Sequence, residues 1–292
     1  IKNMKGIILA GGKGTRLYPA TKVISKQLTC IYDKPMIYYP IYTLIQAGIN
    51  EILIISSEKD LYQYKELIGD GNKFGLKVSY AAQSNPNGIP EAFIIGEKFI
   101  GNDNVCLILG DNIFYGDHLE NFLVECTTHV EKTKNALIIG YKVPNPISYG
   151  VMELDSKGNL ISIEEKPKFP KSNCAVVGLY FYPNRVIEYS KKLTKSKRNE
   201  LEISDLNNIF LEKKEIKSKL FNGNSKWIDA GTPESLLKAS NFIYKIMKDK
   251  GVLIGCVEEI SLKKGYISYD TLKKHIRNSP HSEYFKYLKK II

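Results

Sequence analysis

The sequence has few cysteines and no long apolar run. The first observation argues against a metal or disulfide framework, and the second argues against a membrane span. Its five cysteines, Cys30, Cys106, Cys126, Cys174 and Cys256, are odd in number and widely spaced, and no Cys-x-x-Cys occurs. This pattern indicates neither a zinc site nor a disulfide framework, and it fits a reducing cytoplasm best. No run approaches about 18 apolar residues, so no membrane span is expected.

The N-terminus also lacks the pattern of a secretory signal, because the apolar run after Met4 is too short for the core of such a signal. We expect Met4 to be the natural start. The three residues before it, Ile1, Lys2 and Asn3, are then of vector or upstream origin.

Acidic residues are fewer than basic ones: 42 Lys and Arg against 31 Asp and Glu give a formal net charge of +11. Such a charge suits phosphorylated substrates, and it raises nucleic acid as an alternative partner. The lysines are spread along the chain, however, and the densest basic run, residues 191–198, is typical of a helix end and a loop. A solvated surface is therefore favoured there, and neither nucleic acid nor a membrane is predicted as a partner.

Three glycines near the start form the most informative stretch. Gly11, Gly12 and Gly14 follow the apolar residues 7–10, which are too few for a helix and indicate a buried parallel strand. Glycine lets backbone N–H groups turn toward an anion, and Lys13 adds positive charge. The Walker and dinucleotide patterns both fail, the second because Leu17 stands where its third glycine belongs. A phosphate cradle is predicted, with a ligand-free glycine turn as the alternative.

Strands and helices alternate through the first part of the chain. Strands are predicted at 51–56, 77–82 and 105–109, and helices at 35–47, 59–68 and 90–99. This alternation gives right-handed βαβ units, so the predicted fold is α/β with a doubly wound, mostly parallel sheet.

The pattern changes after about residue 136. Strands are predicted at 136–143, 150–154, 160–165, 175–182 and 216–221, with a helix at 203–213 and another that begins with Thr232 as N-cap and Pro233. This half adds antiparallel or mixed strands. Short helices are predicted beyond Gly251.

The glycine-rich stretch resembles a known signature. Gly11-Gly12-Lys13-Gly14-Thr15-Arg16-Leu17 is similar to the Gly-Gly-x-Gly-Thr-Arg-Leu motif of sugar-phosphate nucleotidyltransferases. Ser25-Lys26-Gln27 and the run from Tyr32 to Pro40 resemble the branch that acts on dTTP and glucose 1-phosphate. The resemblance runs from Met4 nearly to the C-terminus.

The resemblance implies a Rossmann-like nucleotidyltransferase fold with added sugar-binding strands. It divides the chain into a nucleotidyltransferase domain, residues 1–250, and a C-terminal helical segment, residues 251–292. Within the domain, the nucleotide-binding part is expected at about 4–135 and the sugar-binding part at about 136–231.

The implied reaction is attack by a sugar-1-phosphate oxygen on the α-phosphorus of a nucleoside triphosphate. Arg16 and Lys26 match the cationic pair of this family at the triphosphate, and Asp111 and Asp229 match its two aspartates for Mg²⁺. Taken alone, Asp111 could be a turn former, Asp229 a helix-capping residue and Lys26 a surface lysine.

Base recognition is expected from Gln83 and Gly88, since an amide can pair with a pyrimidine edge and glycine allows close approach. The resemblance adds Gln27 and Thr15 to the nucleotide site, together with Gly11, Gly12 and Gly14. A polar turn at residues 85–88 is the alternative.

Sugar-phosphate binding is assigned by resemblance to Gly150, Glu165, Lys166 and Val176. Carboxylates accept hydrogen bonds from sugar hydroxyls, and a lysine can bind the phosphate. Val177 departs from the family, which usually has threonine there.

A second nucleotide-sugar site for feedback control is implied at Tyr115, Gly116, His118 and Glu259. The order Asp117-His118 inverts the usual one, and His118 could equally be a surface histidine. The resemblance also implies a homotetramer to which the C-terminal segment contributes.

The full expectation is a cytoplasmic, Mg²⁺-dependent transferase that makes dTDP-glucose and pyrophosphate, the first step toward dTDP-rhamnose and related sugars. The same chemistry with UTP or CTP is one alternative. A non-catalytic sensor of nucleotide-sugars is another, although it would not need all four of Arg16, Lys26, Asp111 and Asp229.

Overall fold

The structure is a computed structural model that describes residues 4–277 and 279–292. The prediction about Ile1, Lys2 and Asn3 lies outside these residues. In chain order, the strands are β1 (Met4–Leu9), β2 (Cys30–Ile31), β3 (Lys34–Pro35), β4 (Glu51–Ser56), β5 (Lys77–Ala82), β6 (Asn104–Leu109), β7 (Asn112–Tyr115), β8 (Ala136–Lys142), β9 (Gly150–Leu154), β10 (Leu160–Glu165), β11 (Cys174–Tyr182), β12 (Ile216–Leu220) and β13 (Lys226–Asp229).

The α-helices lie between and after these strands. They are α1 (Tyr38–Gln46), α2 (Glu58–Ile68), α3 (Glu91–Ile95), α4 (Glu97–Ile100), α5 (Leu119–Thr133), α6 (Val186–Lys191), α7 (Ile203–Glu212), α8 (Pro233–Lys250), α9 (Val257–Lys263), α10 (Tyr269–Arg277) and α11 (Glu283–Lys290). Each helix of the described chain is too short or too polar to cross a membrane.

The main sheet is mixed, with a parallel part that comes from the first half of the chain. Its order is β10-β9-β11-β6-β1-β4-β5, and β8 pairs with both β11 and β12. β6, β1, β4 and β5 run parallel, whereas β11 is antiparallel to β6, β8 and β9. The predicted doubly wound, mostly parallel α/β sheet with added mixed strands is confirmed.

Both faces of the sheet are covered, which explains why its central strands consist almost wholly of apolar residues. On one face, Ile8 and Ile54 pack in a core that includes residues of α1, α5 and α9. On the other face, Ile7 and Ile55 pack with residues of α3, α6 and α7.

A separate two-stranded ribbon places the end of β13 beside the sheet. β7 and β13 are antiparallel, with Asn112 opposite Asp229 and Phe114 opposite Trp227. The Ala230 N–H donates to the Asp111 carbonyl at 3.0 Å. Sequence analysis did not predict this ribbon, because its strands are only four residues long and pair across more than a hundred residues.

Two predicted helices differ from the structure, and a third helix was not predicted. The helix predicted at 35–47 begins at Tyr38, because Pro35 instead belongs to the short β2–β3 hairpin. The helix predicted at 90–99 is two short helices that meet at Gly96. α5 was missed, although Leu123, Cys126 and Val130 form an apolar stripe at helical spacing.

The C-terminal half of the chain has well-defined helix boundaries. α8 begins at a capping box in which the Thr232 hydroxyl accepts from the Ser235 N–H, as predicted for Thr232 and Pro233. It ends at Gly251, whose φ of 66° closes the helix in the left-handed region. The helices α9, α10 and α11 that follow match the short helices predicted there, and Leu272 and Leu288 are buried in their own small core.

Candidate active site

The glycine-rich loop leaves the carboxyl end of β1, where ligands bind in open α/β sheets. Gly14 has a φ of 61° and its carbonyl accepts from the Thr21 hydroxyl at 2.7 Å. A Cβ at Gly14 would lie 2.7 Å from the Thr21 methyl group, so the position requires glycine on two counts. Thr15 then begins a single 3₁₀ turn, Thr15–Leu17.

Three cavities follow one another along this edge of the sheet. The glycine-loop cavity, of about 680 Å³, is lined by Gly11, Gly12, Lys13, Thr21, Ile24, Ser25, Lys26, Ser57, Glu58, Lys59, Asp60, Gln83, Ser84 and Pro86. The sheet-edge cavity, of about 180 Å³, is lined by Arg16, Ile89, Leu109, Asp111, Asn112, Ser148, Tyr149, Gly150, Glu165, Lys166, Val176, Gly178, Tyr180, Ile203, Ser204, Trp227 and Asp229.

The connecting cavity, of about 200 Å³, shares residues with both of the others. Gly12 and Gln83 belong to it and to the glycine-loop cavity, while Glu165 and Lys166 belong to it and to the sheet-edge cavity. Together they form one cleft with room for an elongated ligand.

A cation and two carboxylates lie where the glycine-loop and sheet-edge cavities meet. Lys26 forms an ion pair with Asp111, and both side chains are largely buried. Arg16 approaches from the other side: a Cβ at Gly231 would lie 2.5 Å from its Nη2 and 2.9 Å from Asp229 Oδ1. The structure therefore brings together the two cations and the two aspartates that the sequence singled out.

Asp111 perturbs the titration of Asp229. Burial, and then repulsion by Asp111, raise the pKa of Asp229 to about 6, although Lys26 and Arg16 act in the opposite direction. Burial and the charge of Asp229 also raise the pKa of Tyr149. Two adjacent carboxylates open to the cleft form an oxygen donor set of the kind that Mg²⁺ takes when it also binds phosphates. The residues present thus fit a divalent cation.

Asn112 links three elements at the floor of the site. Its Nδ2 donates to Asp111 Oδ1 at 3.1 Å. Its Oδ1 accepts from the Trp227 indole N–H at 2.6 Å and from the Gly178 N–H at 3.0 Å. Because every polar atom of this buried amide is engaged, Asn112 holds the Asp111 side chain in one orientation.

On the glycine-loop side, Gln83 is buried and continues the β4–β5 ladder through its N–H, which donates to the Ser56 carbonyl at 2.8 Å. A Cβ at Gly11 would lie 2.9 Å from Gln83 Oε1. Gly88 has a φ of 109° and forms a parallel bridge with Leu201. The segment 83–88 is thereby fixed between the glycine loop and the chain that leads into α7.

Gln27 is buried but, unlike Gln83, it does not line any of the three cavities of the cleft. Its Oε1 accepts from the Ser25 hydroxyl at 3.0 Å and from the Tyr64 hydroxyl at 3.4 Å. Only 3% of its surface is exposed. Its role in nucleotide binding stays a prediction, as does that of Thr15.

The four residues predicted to bind the sugar phosphate all line the sheet-edge cavity: Gly150, Glu165, Lys166 and Val176. Gly150 and Glu165 face each other across β9 and β10. Glu165 Oε2 accepts from the Ser204 hydroxyl at 2.6 Å, and its Oε1 lies 3.4 Å from Arg198 Nη2. The carboxylate is therefore held in place before any ligand arrives.

The basic run at residues 191–198 was interpreted as a solvated surface, and its basic side chains are indeed exposed, but two of them also contact the wall of the cleft. Arg198 pairs with Glu202 and lines the connecting cavity. The hydrogen bond to Glu202 is the main cause that raises the pKa of Arg198. Lys195 donates to Asn87 Oδ1 at 2.9 Å. These exposed charges therefore also help to hold one wall of the cleft.

The residues predicted for a second site lie away from the cleft, around α5, α8 and α9. Tyr115 lines a cavity of about 460 Å³ with Asp117, Tyr141, Gly223, Asn224, Ser225, Lys226, Phe242, Ile246 and Lys250. A Cβ at Gly116 would lie 2.9 Å from Ser225 Oγ, and His118 precedes the first residue of α5. Glu259, on α9, accepts from the Tyr287 hydroxyl at 2.8 Å. Their role in feedback stays a prediction.

Several residues of the site were missed by sequence reasoning, namely Glu91, Asn112, Arg198, Glu202 and Ser204. Only Asn112 had a local signal, because it directly follows the predicted metal-binding aspartate. The others gave no local signal, and Ser204, for example, reaches the cleft through a contact with Glu165, which is distant in the sequence.

Comparison with known proteins gives a consistent result. The family model described as nucleotidyl transferase matches residues 5–246. The glucose-1-phosphate thymidylyltransferase of Neisseria meningitidis is 47% identical over 289 residues, 99% of this chain and 99% of that protein. The protein of the same name from Mycolicibacterium smegmatis is 46% identical, again over 99% of each chain.

Solved structures of two similar proteins have the same fold as this chain. A Bacillus anthracis protein named as a glucose-1-phosphate thymidylyltransferase, crystallised with sucrose, has a TM-score of 0.75 and 40% identity over 82% of this chain and 94% of its own. A UDP-glucose pyrophosphorylase in complex with UDP-glucose has a TM-score of 0.75 and 27% identity over 84% and 99%.

Proposed function

Because the chain belongs to the nucleotidyl transferase family, we propose that it transfers a thymidylyl group from dTTP to α-D-glucose 1-phosphate. The products are dTDP-glucose and pyrophosphate. The observation that carries this proposal is the junction of the cavities, where Lys26 and Arg16 surround Asp111 and Asp229. The names of the relatives that match nearly all of the chain supply the two substrates.

The reaction forms one P–O bond and breaks another. An oxygen of the glucose 1-phosphate attacks the α-phosphorus of dTTP, and the bond from that phosphorus to the β-phosphate oxygen breaks as pyrophosphate leaves. The attacking phosphate is already ionised at neutral pH, so no general base is required. The protein must supply alignment and positive charge instead.

The cleft provides both requirements along its length. The glycine loop presents backbone N–H groups and Lys13 to the triphosphate. Lys26 and Arg16 stabilise the charge that develops on the phosphate oxygens. Glu165 and Lys166 at the far end bind the sugar and its phosphate, which aligns the attacking oxygen with the α-phosphorus.

Asp111 and Asp229 would hold Mg²⁺ together with the phosphates of dTTP, and the bound ion would offset negative charge on those phosphates. The carboxylates are suited to this because each is desolvated and the pKa of Asp229 is raised to about 6 by burial and by Asp111. A bound cation would offset the repulsion between the two carboxylates.

We also propose a second nucleotide-sugar site at Tyr115, Gly116, His118 and Glu259, and a homotetrameric assembly. The cavity beside Tyr115 supports the first point, since Lys250 lies 2.9 Å from Asp117 at its wall and could bind a diphosphate. The pathway role would be the first step toward dTDP-rhamnose and related deoxysugars, so dTDP-rhamnose added to the assay should lower the rate.

A pyrophosphate-release assay tests the main proposal. Full-length protein is incubated with each of dTTP, UTP, CTP and ATP and with several sugar 1-phosphates, with and without Mg²⁺. Mg²⁺-dependent release with dTTP and glucose 1-phosphate supports the proposal. Thymine and uracil differ by one methyl group, worth about 1–3 kcal/mol in a pocket, so some release with UTP is expected. Preference for UTP would favour the activity named for the UDP-glucose pyrophosphorylase structure.

A further inference from the structure

Glu91 contacts two residues of the segment proposed to read the base. It is the first residue of α3, directly after the loop that carries Gly88. Its Oε2 accepts from Gln83 Nε2 at 2.6 Å, and its Oε1 accepts from Asn87 Nδ2 at 2.8 Å. One carboxylate therefore holds the amides at both ends of the loop.

This contact fixes which way the Gln83 amide faces. A carboxylate accepts hydrogen bonds and donates none, so the amide must present its nitrogen to Glu91. Its carbonyl oxygen then faces the opposite side, toward the glycine loop, where a Cβ at Gly11 would lie 2.9 Å from Oε1. Only 4% of the Gln83 surface is exposed, and its backbone N–H is bound to Ser56. Rotation about the side chain would break the bond to Glu91 and leave a buried N–H unpaired.

A fixed acceptor facing the cleft discriminates between pyrimidines. Thymine and uracil carry a hydrogen on N3 and can donate to Gln83 Oε1. The N3 of cytosine is itself an acceptor, so it would meet a second acceptor there. With a freely rotating glutamine the site could pair with either kind of base, because an amide offers both a donor and an acceptor.

We propose that Glu91 is a positioning residue for base specificity: it locks the Gln83 amide so that the site selects pyrimidines with an N3–H and rejects cytosine. The proposal rests on the proposed function, because it places a pyrimidine nucleotide against Gln83. It adds a residue that does not touch the nucleotide and acts only through Gln83.

The test is the variant Glu91→Gln, which has the same shape but can donate or accept, so that the Gln83 amide can turn over. Dissociation constants of dTTP, dUTP and dCTP are measured by titration calorimetry on the full chain; these nucleotides share one sugar and differ only in the base. In the native protein dTTP and dUTP should bind more tightly than dCTP. In Glu91→Gln the ratio of the dCTP to the dTTP constant should fall about tenfold, the equivalent of one hydrogen bond.

The ratio of the dUTP to the dTTP dissociation constant distinguishes a change in the orientation of the Gln83 amide from a nonspecific loss of nucleotide binding. Both bases carry N3–H, so this ratio should stay within about twofold of the native value. Glu97→Gln is the matched control, because Glu97 is a surface residue on α4 that pairs only with Lys191 among the described residues. It should leave both ratios unchanged.

Three results would overturn the inference: equal binding of dCTP and dTTP by the native protein, an unchanged dCTP to dTTP ratio in Glu91→Gln, or a parallel change of both ratios. If the binding ratios are as predicted but no pyrophosphate is released from dTTP, the proposed function is rejected and the role of Glu91 is retained. Native preference for dCTP would reject both.

Discussion

Replacing Gly88 by alanine tests whether the base loop must meet the chain before α7. A Cβ at Gly88 would lie 2.0 Å from the Leu201 carbonyl oxygen and 2.7 Å from its nitrogen. Both neighbours are backbone atoms, so no side chain can turn away. The φ of Gly88, 109°, is also one that alanine rarely adopts.

The expected change in KM follows from the backbone strain at residue 88 and from the loss of contact with Leu201. Backbone strain at such a φ costs about 1–3 kcal/mol. Opening the bridge also loses the hydrogen bond from the Leu201 N–H to the Asn87 carbonyl, 2.7 Å long, worth about 1 kcal/mol. If dTTP binds only to the closed arrangement, a cost of about 2–4 kcal/mol raises its KM roughly 30- to 1,000-fold.

The assay compares KM for dTTP and the thermal midpoint of Gly88→Ala with those of Gly158→Ala. Gly158 has a φ of 81° but nothing within 4 Å of its Cβ position, so that variant carries the backbone strain without the collision. We expect Gly158→Ala to lose about 1 kcal/mol of stability and to keep its KM. Equal KM values in the two variants would refute the reasoning that the Gly88–Leu201 contact shapes the cleft.

Three further predictions concern the charges of the site and the helix beside it. Lys26→Ala and Arg16→Ala should each lower kcat on the order of 100-fold in a steady-state assay. Lys77→Ala, a change at an exposed lysine, serves as the control. Near-native rates in both Lys26→Ala and Arg16→Ala would remove the proposed roles of these residues. Because the pKa of Asp229 is raised to about 6, protons compete with the cation below that pH. The Mg²⁺ concentration for half-maximal rate should therefore rise about fivefold from pH 6 to pH 5 and stay level above pH 7. A flat Mg²⁺ requirement from pH 5 to pH 8 would contradict this. Thr232→Ala should lose about 1 kcal/mol in denaturant unfolding, since it removes the N-cap of α8; an unchanged unfolding free energy would show that the cap is dispensable.

Much of the fold could be predicted because its signals are local. The strands at Glu51–Ser56 and Lys77–Ala82 were predicted with the bounds that the structure has. Glu51–Ser56 is buried on both faces of the sheet, which requires a nearly continuous apolar run that is visible in the sequence. Gly69 and Gly251 each end a helix because glycine readily adopts the positive φ found there. The resemblance carried by Gly11–Leu17 is confirmed at the level of the family by the match over residues 5–246.

The missed elements have physical reasons. Pro35 was placed in the first turn of a helix because proline fits there, but it lies in β3 and pairs with Cys30 of β2 instead. The β7–β13 ribbon gives no usable period, since four residues are too few to distinguish a strand from a loop. Arg198 is exposed, as expected for a dense basic run, and only the structure shows that it also pairs with Glu202 beside the cleft.

The sequence by itself determined the parts of this protein that depend on neighbouring residues. These are the alternating strands and helices, the glycine loop at the end of β1, the Thr232 cap, and the motif that identifies the family. Only the tertiary structure decided which distant residues meet. It placed Asp229 beside Asp111 through the ribbon and Leu201 against Gly88. The reason is that periodicity and turn chemistry act over a few residues, whereas each of these contacts depends on how whole elements pack.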